Sequence, residues 1–447
     1  MQKKYEYFNQ TGFTLVETVI ALGVLGIFFV AVAGITGMVL DIVGQSRART
    51  IATALAQERL EYIRNLSYDD IGTIGGIPPG GLLQEEVVTM NGLEVTLNIS
   101  VFYVDDEFDG VTPDDTINTD YKRVRLSVSW GGAFASANPM VFVSDVTPQG
   151  LESESDGGTL SIVVFDANGV ALPQATVHVA NTTVTPVIDL STQTDTQGRV
   201  YIPGSPPCIS CYQITVTKPG YSTDRTYSQT EVTNPAKPPV TILDGQITEL
   251  TFIIDRLATL TVYATGAREN NYPAFTGVQF ILTGSKTIGT DTIDTPVPKY
   301  TQTHTTLAGG QVTISDLELD TYIIDIPNNS SVDIAGSNPL TPFAVSPGSN
   351  SSIRFVTNPQ SAHSLLVTIS DSNNTPVQDA SITLKLQDVV IATKSSGAVD
   401  KGDFGQAFFP QLTETLYDLI ITHPSYQEAT ASTGISGDIN DEFILSQ

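Results

Sequence analysis

From position 13 to position 40 the chain is apolar or small at every position but one, Glu17. The run exceeds the ~20 apolar residues that a helix needs to cross a hydrocarbon core about 30 Å thick. Two basic residues, Lys3 and Lys4, precede it. By the positive-inside tendency they keep the N-terminus in the cytoplasm and send the remainder outward. Gly23, Gly26, Gly34 and Gly37 interrupt the run, and Ala33 and Gly37, four apart, leave room for a second helix to approach. Glu17 does not fit, since a carboxylate in such a stretch is unfavourable by roughly 2.5–3.5 kcal/mol. The pattern then changes without a break. Ala48, Ile51, Ala52, Leu55, Tyr62, Ile63 and Leu66 fall at offsets of 0, 3, 4, 7, 14, 15 and 18, one face of a helix. Gln45, Arg47, Arg49, Gln57, Glu58, Glu61 and Arg64 occupy the other faces. The spacing predicts one helix over 13–66, about 80 Å long at 1.5 Å per residue.

A Gly- and Pro-rich loop over 67–79 ends the helical pattern. Alternation of period two follows at Gly92–Val104, Tyr121–Trp130 and Met140–Val146, and predicts an antiparallel sheet for the second half of the helix to pack on. After a linker over 147–158, the chain repeats itself. Asp166, Ala175, Val177, Tyr212, Pro219 and Tyr221 recur, displaced by 205 residues, as Asp371, Ala380, Ile382, Tyr417, Pro424 and Tyr426. A weaker middle unit has Tyr322 in the place of Tyr212. The tyrosines read as core rings whose hydroxyls reach backbone at the rim. The expected class is α+β: a helix over 13–66, a small antiparallel sheet within 67–146, then all-β modules over 159–255, 256–357 and 358–447.

Composition narrows the function. At 447 residues the chain is too long for one ordinary core. Its net charge of −27 and pI near 4.2 argue against a nucleic-acid surface, which needs clustered Lys and Arg. No P-loop, dinucleotide fingerprint, GxSxG or HExxH occurs, and a non-enzyme is expected. Asp105, Glu107 and Asp109, followed by Gly110, partly match a calcium loop, but Thr116 stands where the bidentate Glu belongs. A solvated acidic loop is the plainer reading and calcium the alternative. Cys208 and Cys211, the only cysteines, lie in a Pro-rich turn. A redox CxxC opens a helix in a βαβ setting, absent here, so a disulfide staple is expected, with free thiols or metal as alternatives. His178, His304, His363 and His423 are isolated and read as surface or core-edge residues.

Gly12-Phe13-Thr14-Leu15-Val16-Glu17, with its basic leader and apolar run, resembles the class III signal of type IV pilins and pseudopilins. The resemblance implies that residues 1–12 are a leader removed by the prepilin peptidase, which cuts after Gly12 and methylates Phe13. It also implies that Glu17 meets the terminal amine of a neighbouring pilin subunit during assembly, so that a buried charge selects a partner. The stretches LSIVVFDANGVALPQATVHV, TDTQGRVYIPG and YQITVTKPGY resemble carboxypeptidase-regulatory-like, transthyretin-type β-sandwiches. The expectation is a minor type IV pilin-like subunit, held in the cytoplasmic membrane and then built into a surface pilus. Its modules would face an extracellular ligand whose identity the sequence leaves open. A pseudopilin of a secretion system and an uncleaved membrane-anchored stalk are the alternatives.

Overall fold

The computed structural model describes residues 15–104, 119–148, 157–327 and 329–446. A single helix, α1 (Leu15–Arg64), runs 50 residues, about 75 Å at 1.5 Å per residue. None of residues 15–43 is buried, and the helix is long and apolar enough to cross a membrane by length and composition. Its second half buries Ala48, Ala52, Leu55, Ala56, Leu60 and Ile63. Ala52 and Ala56 are fully covered, and their small side chains let the helix sit close to the sheet. Tyr62, expected on this face, is instead 51% exposed. It lies one residue off the contact stripe, about 100° round the helix, with the Arg59 guanidinium over its ring.

The helix packs on an antiparallel sheet in the order β1 (Glu85–Met90), β2 (Leu93–Val104), β3 (Tyr121–Trp130), β4 (Met140–Val146). Val95, Leu97, Ile99 and Val101 of β2 and Val124, Leu126 and Val128 of β3 form the core with the helix. The sequence pattern supplies β2, β3 and β4 but not β1. The β1–β2 turn holds Asn91 at φ 52° and Gly92 at φ 79°, the left-handed pair that a two-residue hairpin needs.

Three two-sheet sandwiches follow. The first contains β5 (Gly158–Phe165), β6 (Thr176–Asn181), β7 (Ile188–Gln193), β8 (Arg199–Ser205) and β9 (Cys208–Thr217). β6, β7 and β9 form one sheet, and β5, β8 and Ile247–Ile253 form the other. The second sandwich opens with Ala258–Thr265 and the third with Ser364–Asp371. In all three the opening strand pairs in parallel with the last: with Ile247–Ile253, Asn350–Pro359 and Asp438–Leu445 respectively. The middle unit, weak in sequence, therefore shares the connectivity of its neighbours. Two expected limits shift slightly. Gly158 opens β5 rather than ending the linker, and the strand Asn350–Pro359 runs past residue 357.

The core tyrosine recurs in all three copies and the turn carboxylate in the first and third. Tyr212, Tyr322 and Tyr417 are buried. The Tyr212 hydroxyl donates to Pro206 O at 2.7 Å and that of Tyr322 to Glu318 O at 3.0 Å, while that of Tyr417 accepts from Thr413 N at 3.1 Å. Asp166 Oδ1 accepts from the amides of Asn168 and Val170, and Asp371 Oδ1 from those of Asn373 and Thr375. Each carboxylate thereby closes the turn after the opening strand.

Candidate functional site

The helix divides into an uncovered apolar half and a packed half. Thr18 and Thr36 donate their hydroxyls to Leu15 O and Val32 O, each at 2.8 Å, so these polar groups are satisfied within the helix. Glu17 lies on the uncovered half, beside a shallow apolar surface made by Ile20, Ala21, Val24 and Phe28. It is the only charged residue from Leu15 to Leu40. Gly12 and Phe13 lie outside the described residues.

The change from uncovered to packed falls at Gly44. A Cβ there would meet the Phe134 ring, so glycine lets the loop between β3 and β4 close on the helix without displacing that ring. Arg59 then pairs with Glu86, and Arg64 Nε donates to Ser144 Oγ at 3.0 Å, tying the end of the helix to β1 and β4.

Cys208 and Cys211 are joined by a disulfide. They lie within β9 rather than in the turn expected from Pro206 and Pro207. The pairing with Val240–Ile242 shifts register here, Ser210 has φ 52°, and its amide donates to Thr241 Oγ1 at 2.9 Å. The disulfide brackets this bulge.

Asp105, Glu107, Asp109 and Thr116 lie outside the described residues. Among the described residues no group of three or more His, Cys, Asp or Glu is placed to hold a metal ion. His178 Nε2 is 2.6 Å from Asp189 Oδ1, the His304 ring is 3.0 Å from the Tyr300 hydroxyl, and the His423 ring lies 5.1 Å from that of Tyr426 at a tilt of 56°. Burial pushes the His304 imidazole below its ordinary value.

The helical region and the first sandwich are joined through the loop before β1. Ile77 from that loop is 2% exposed and belongs to the core of the first sandwich. Gln84 Nε2 donates to the carbonyls of Ile74 and Asp189, and Asp189 N donates to Gly75 O at 2.7 Å. This joint has no signal in the sequence beyond one isoleucine in a Gly/Pro segment.

Comparison with known proteins gives two family matches. The prokaryotic N-terminal methylation motif matches residues 7–33, and the carboxypeptidase regulatory-like domain matches residues 159–254. No curated protein matches the chain. Among solved structures, the Bacillus anthracis TIE protein aligns at 12% identity and a TM-score of 0.20, covering 82% of this chain and 76% of its own. A minor pilin of the gram-positive pathogen Streptococcus agalactiae aligns at 12% identity and a TM-score of 0.24, covering 45% of this chain and 96% of its own. Likeness at this level carries no inference about this chain. The two sequence matches fall where the uncovered helix and the first sandwich lie. The chain is pilin-like: it carries the N-terminal methylation motif of type IV pilins together with a carboxypeptidase regulatory-like domain.

Proposed function

We propose that the protein is a minor subunit of a type IV filament. It enters the cytoplasmic membrane through the apolar half of α1 and is cut by the prepilin peptidase between Gly12 and Phe13. After N-methylation it is built into a surface pilus through contacts with other pilin subunits. Its three sandwiches project as a display appendage toward an extracellular partner, and it acts as a structural subunit rather than a catalyst. The observation that carries this reading is the helix of two halves. One half is apolar and uncovered and carries a single charged residue from Leu15 to Leu40, Glu17, and the other is sealed on a sheet. In a filament the first half finds its cover among other helices, and Glu17 meets the cationic N-terminus of a neighbour. Size favours a minor role, because such an appendage at every helical step would crowd the filament surface.

Intact-mass and N-terminal analysis of the protein from its native host tests the reading. A chain that starts at Phe13 with one added methyl supports it. A start at Gly34 makes the segment an ordinary secretory signal, and an intact Met1 leaves a membrane stalk. Either of these overturns the proposal.

A further inference from the structure

The outer faces of two sheets meet in a cleft of about 300 Å3 between the helical region and the first sandwich. One wall comes from β2 and β3. Ser100 stands opposite Arg125 and Asn98 opposite Ser127, a square of four polar side chains on the face turned away from α1. Opposite pairs on a sheet have Cβ atoms about 4.5–5.5 Å apart, so the four act on one small ligand together. The other wall comes from β6 and β7, where Thr176 stands opposite Gln193, with Ser191 on the same outer face of β7. Pro139 adds an apolar edge.

Two features leave the polar groups of this cleft open to a ligand. First, among the described residues the side chains of these seven polar residues make no hydrogen bond or ion pair within the chain. Second, Arg125 lacks a carboxylate partner among the described residues, in a chain with 48 acidic and 21 basic residues. Two positions away, Arg123 is held by Asp145 at 2.7 and 2.9 Å. Among the described residues no carboxylate lines the cleft.

We infer that the cleft binds a short acidic carbohydrate. The planar guanidinium of Arg125 offers paired donors that match a sugar carboxylate. The hydroxyls and carboxamides around it, donors and acceptors both, match the remaining ring hydroxyls. A single cation among seven uncharged polar residues suits one negative charge in a field of hydroxyls. A polyphosphate would call for several cations, and a peptide anchor for an apolar pocket. The volume is at the small end of ligand sites, roughly 300–1,000 Å3, and limits the occupant to one or two sugar rings. This inference goes beyond the filament reading and is independent of it, because binding needs only the folded chain.

The test is titration of the full chain in detergent micelles with digalacturonate, followed by saturation-transfer NMR and calorimetry, with cellobiose as the neutral comparator. Saturable binding of digalacturonate is expected, with cellobiose at least about tenfold weaker because it lacks the carboxylate. Arg125→Ala is expected to weaken digalacturonate by at least about tenfold, with Arg125→Lys keeping part of the affinity. Arg123→Ala leaves binding unchanged. Ser191→Trp, which fills the cleft from the other wall and leaves Arg125 in place, abolishes it, and decides the matter if Arg125→Ala does not fold. Absence of saturation, equal affinity for cellobiose, or unchanged binding in a folded Arg125→Ala or Ser191→Trp variant overturns the inference.

Discussion

Lys122 occupies a core position of β3, on the same face as Val124, Leu126 and Val128, and is 2% exposed. Its ammonium donates to the carbonyls of Tyr68 and Ile71, each at 2.8 Å, and lies 4.6 Å from the Tyr68 ring centre. Burial pushes the amine down to about 8, against the opposing pull of Asp69 and Asp70. An unfolded lysine titrates at about 10.4, so between about pH 8 and 10 the unfolded chain holds the extra proton. Stability therefore rises with pH through that window. Burial pushes the phenols of Tyr68, Tyr212 and Tyr272 up to about 12, which reverses the sign above about pH 10, where the unfolded chain loses its phenolic protons first. Denaturant midpoints measured from pH 7 to 11 should climb and then fall. Lys122→Met should flatten the climb and keep the fall; an unchanged climb would mean that another group produces it.

At the scale of elements, the loop before β1 joins two cores. Ile77 leaves the helical region and enters the first sandwich, where it packs with Leu160, Ile162 and Ile188 among others. Ile77→Ala should therefore cost about 2–5 kcal/mol, the usual range for emptying a buried aliphatic site. The loss should appear as faster amide exchange in β5 and β7, more than 80 residues away in the chain. Faster exchange confined to the loop would show that the joint is superficial. The sequence reveals the helix and β2 to β4 because their apolar residues keep a strict period against one core. It hides β1, an edge strand with no fully buried residue, although the Asn91-Gly92 turn marks its end. Tyr62 misleads for a related reason, since the seven-residue list allows a face wider than the stripe that touches the sheet. The cleft around Arg125 is hidden altogether. Its polar residues read as the solvent side of strands, and the contacts of Ile77, Gln84 and Tyr103 with the first sandwich bring Asn98, Ser100, Arg125 and Ser127 up to Thr176, Ser191 and Gln193. The turn carboxylates and core tyrosines were legible, because a local hydrogen bond recurs wherever its residue does.

Across the whole molecule, the question is whether the sandwiches swing or stand as one rod, since relative motion is the default for domains joined by small interfaces. The first and second share the pairing of Asn234–Pro235 with Thr287–Thr290, and Lys299 Nζ reaches Thr223 O and Glu318 Oε2, each at 2.7 Å. The second and third are held more tightly. Arg268 pairs with Asp403, whose side chain is 4% exposed, and also donates to the carbonyls of Ser395 and Gln406. The Tyr272 hydroxyl donates to the same carboxylate at 3.0 Å, and Ser337 N donates to Gln406 Oε1 at 2.7 Å. Around them Ala335, Val356, Leu366 and Phe408 close an apolar patch between the two units. Removing one partner of a buried pair strands the other, at a cost of about 3–5 kcal/mol. Arg268→Ala leaves Asp403 buried with only the Tyr272 hydroxyl, so the lower end of that range applies. That is enough to release the third sandwich from the second, while its own core, built on Leu365, Ile382, Phe409 and Tyr417, stays intact. Small-angle scattering should then change from the profile of a single rigid particle to that of a jointed one, and protease should cut at residues 360–363. Far-UV circular dichroism should remain unchanged. A variant with the parent's scattering and the parent's protease resistance would place the rigidity in the apolar patch rather than in the ion pair. The two outcomes bear on function, since a rod holds its tip at a fixed reach from the membrane helix and a jointed chain does not.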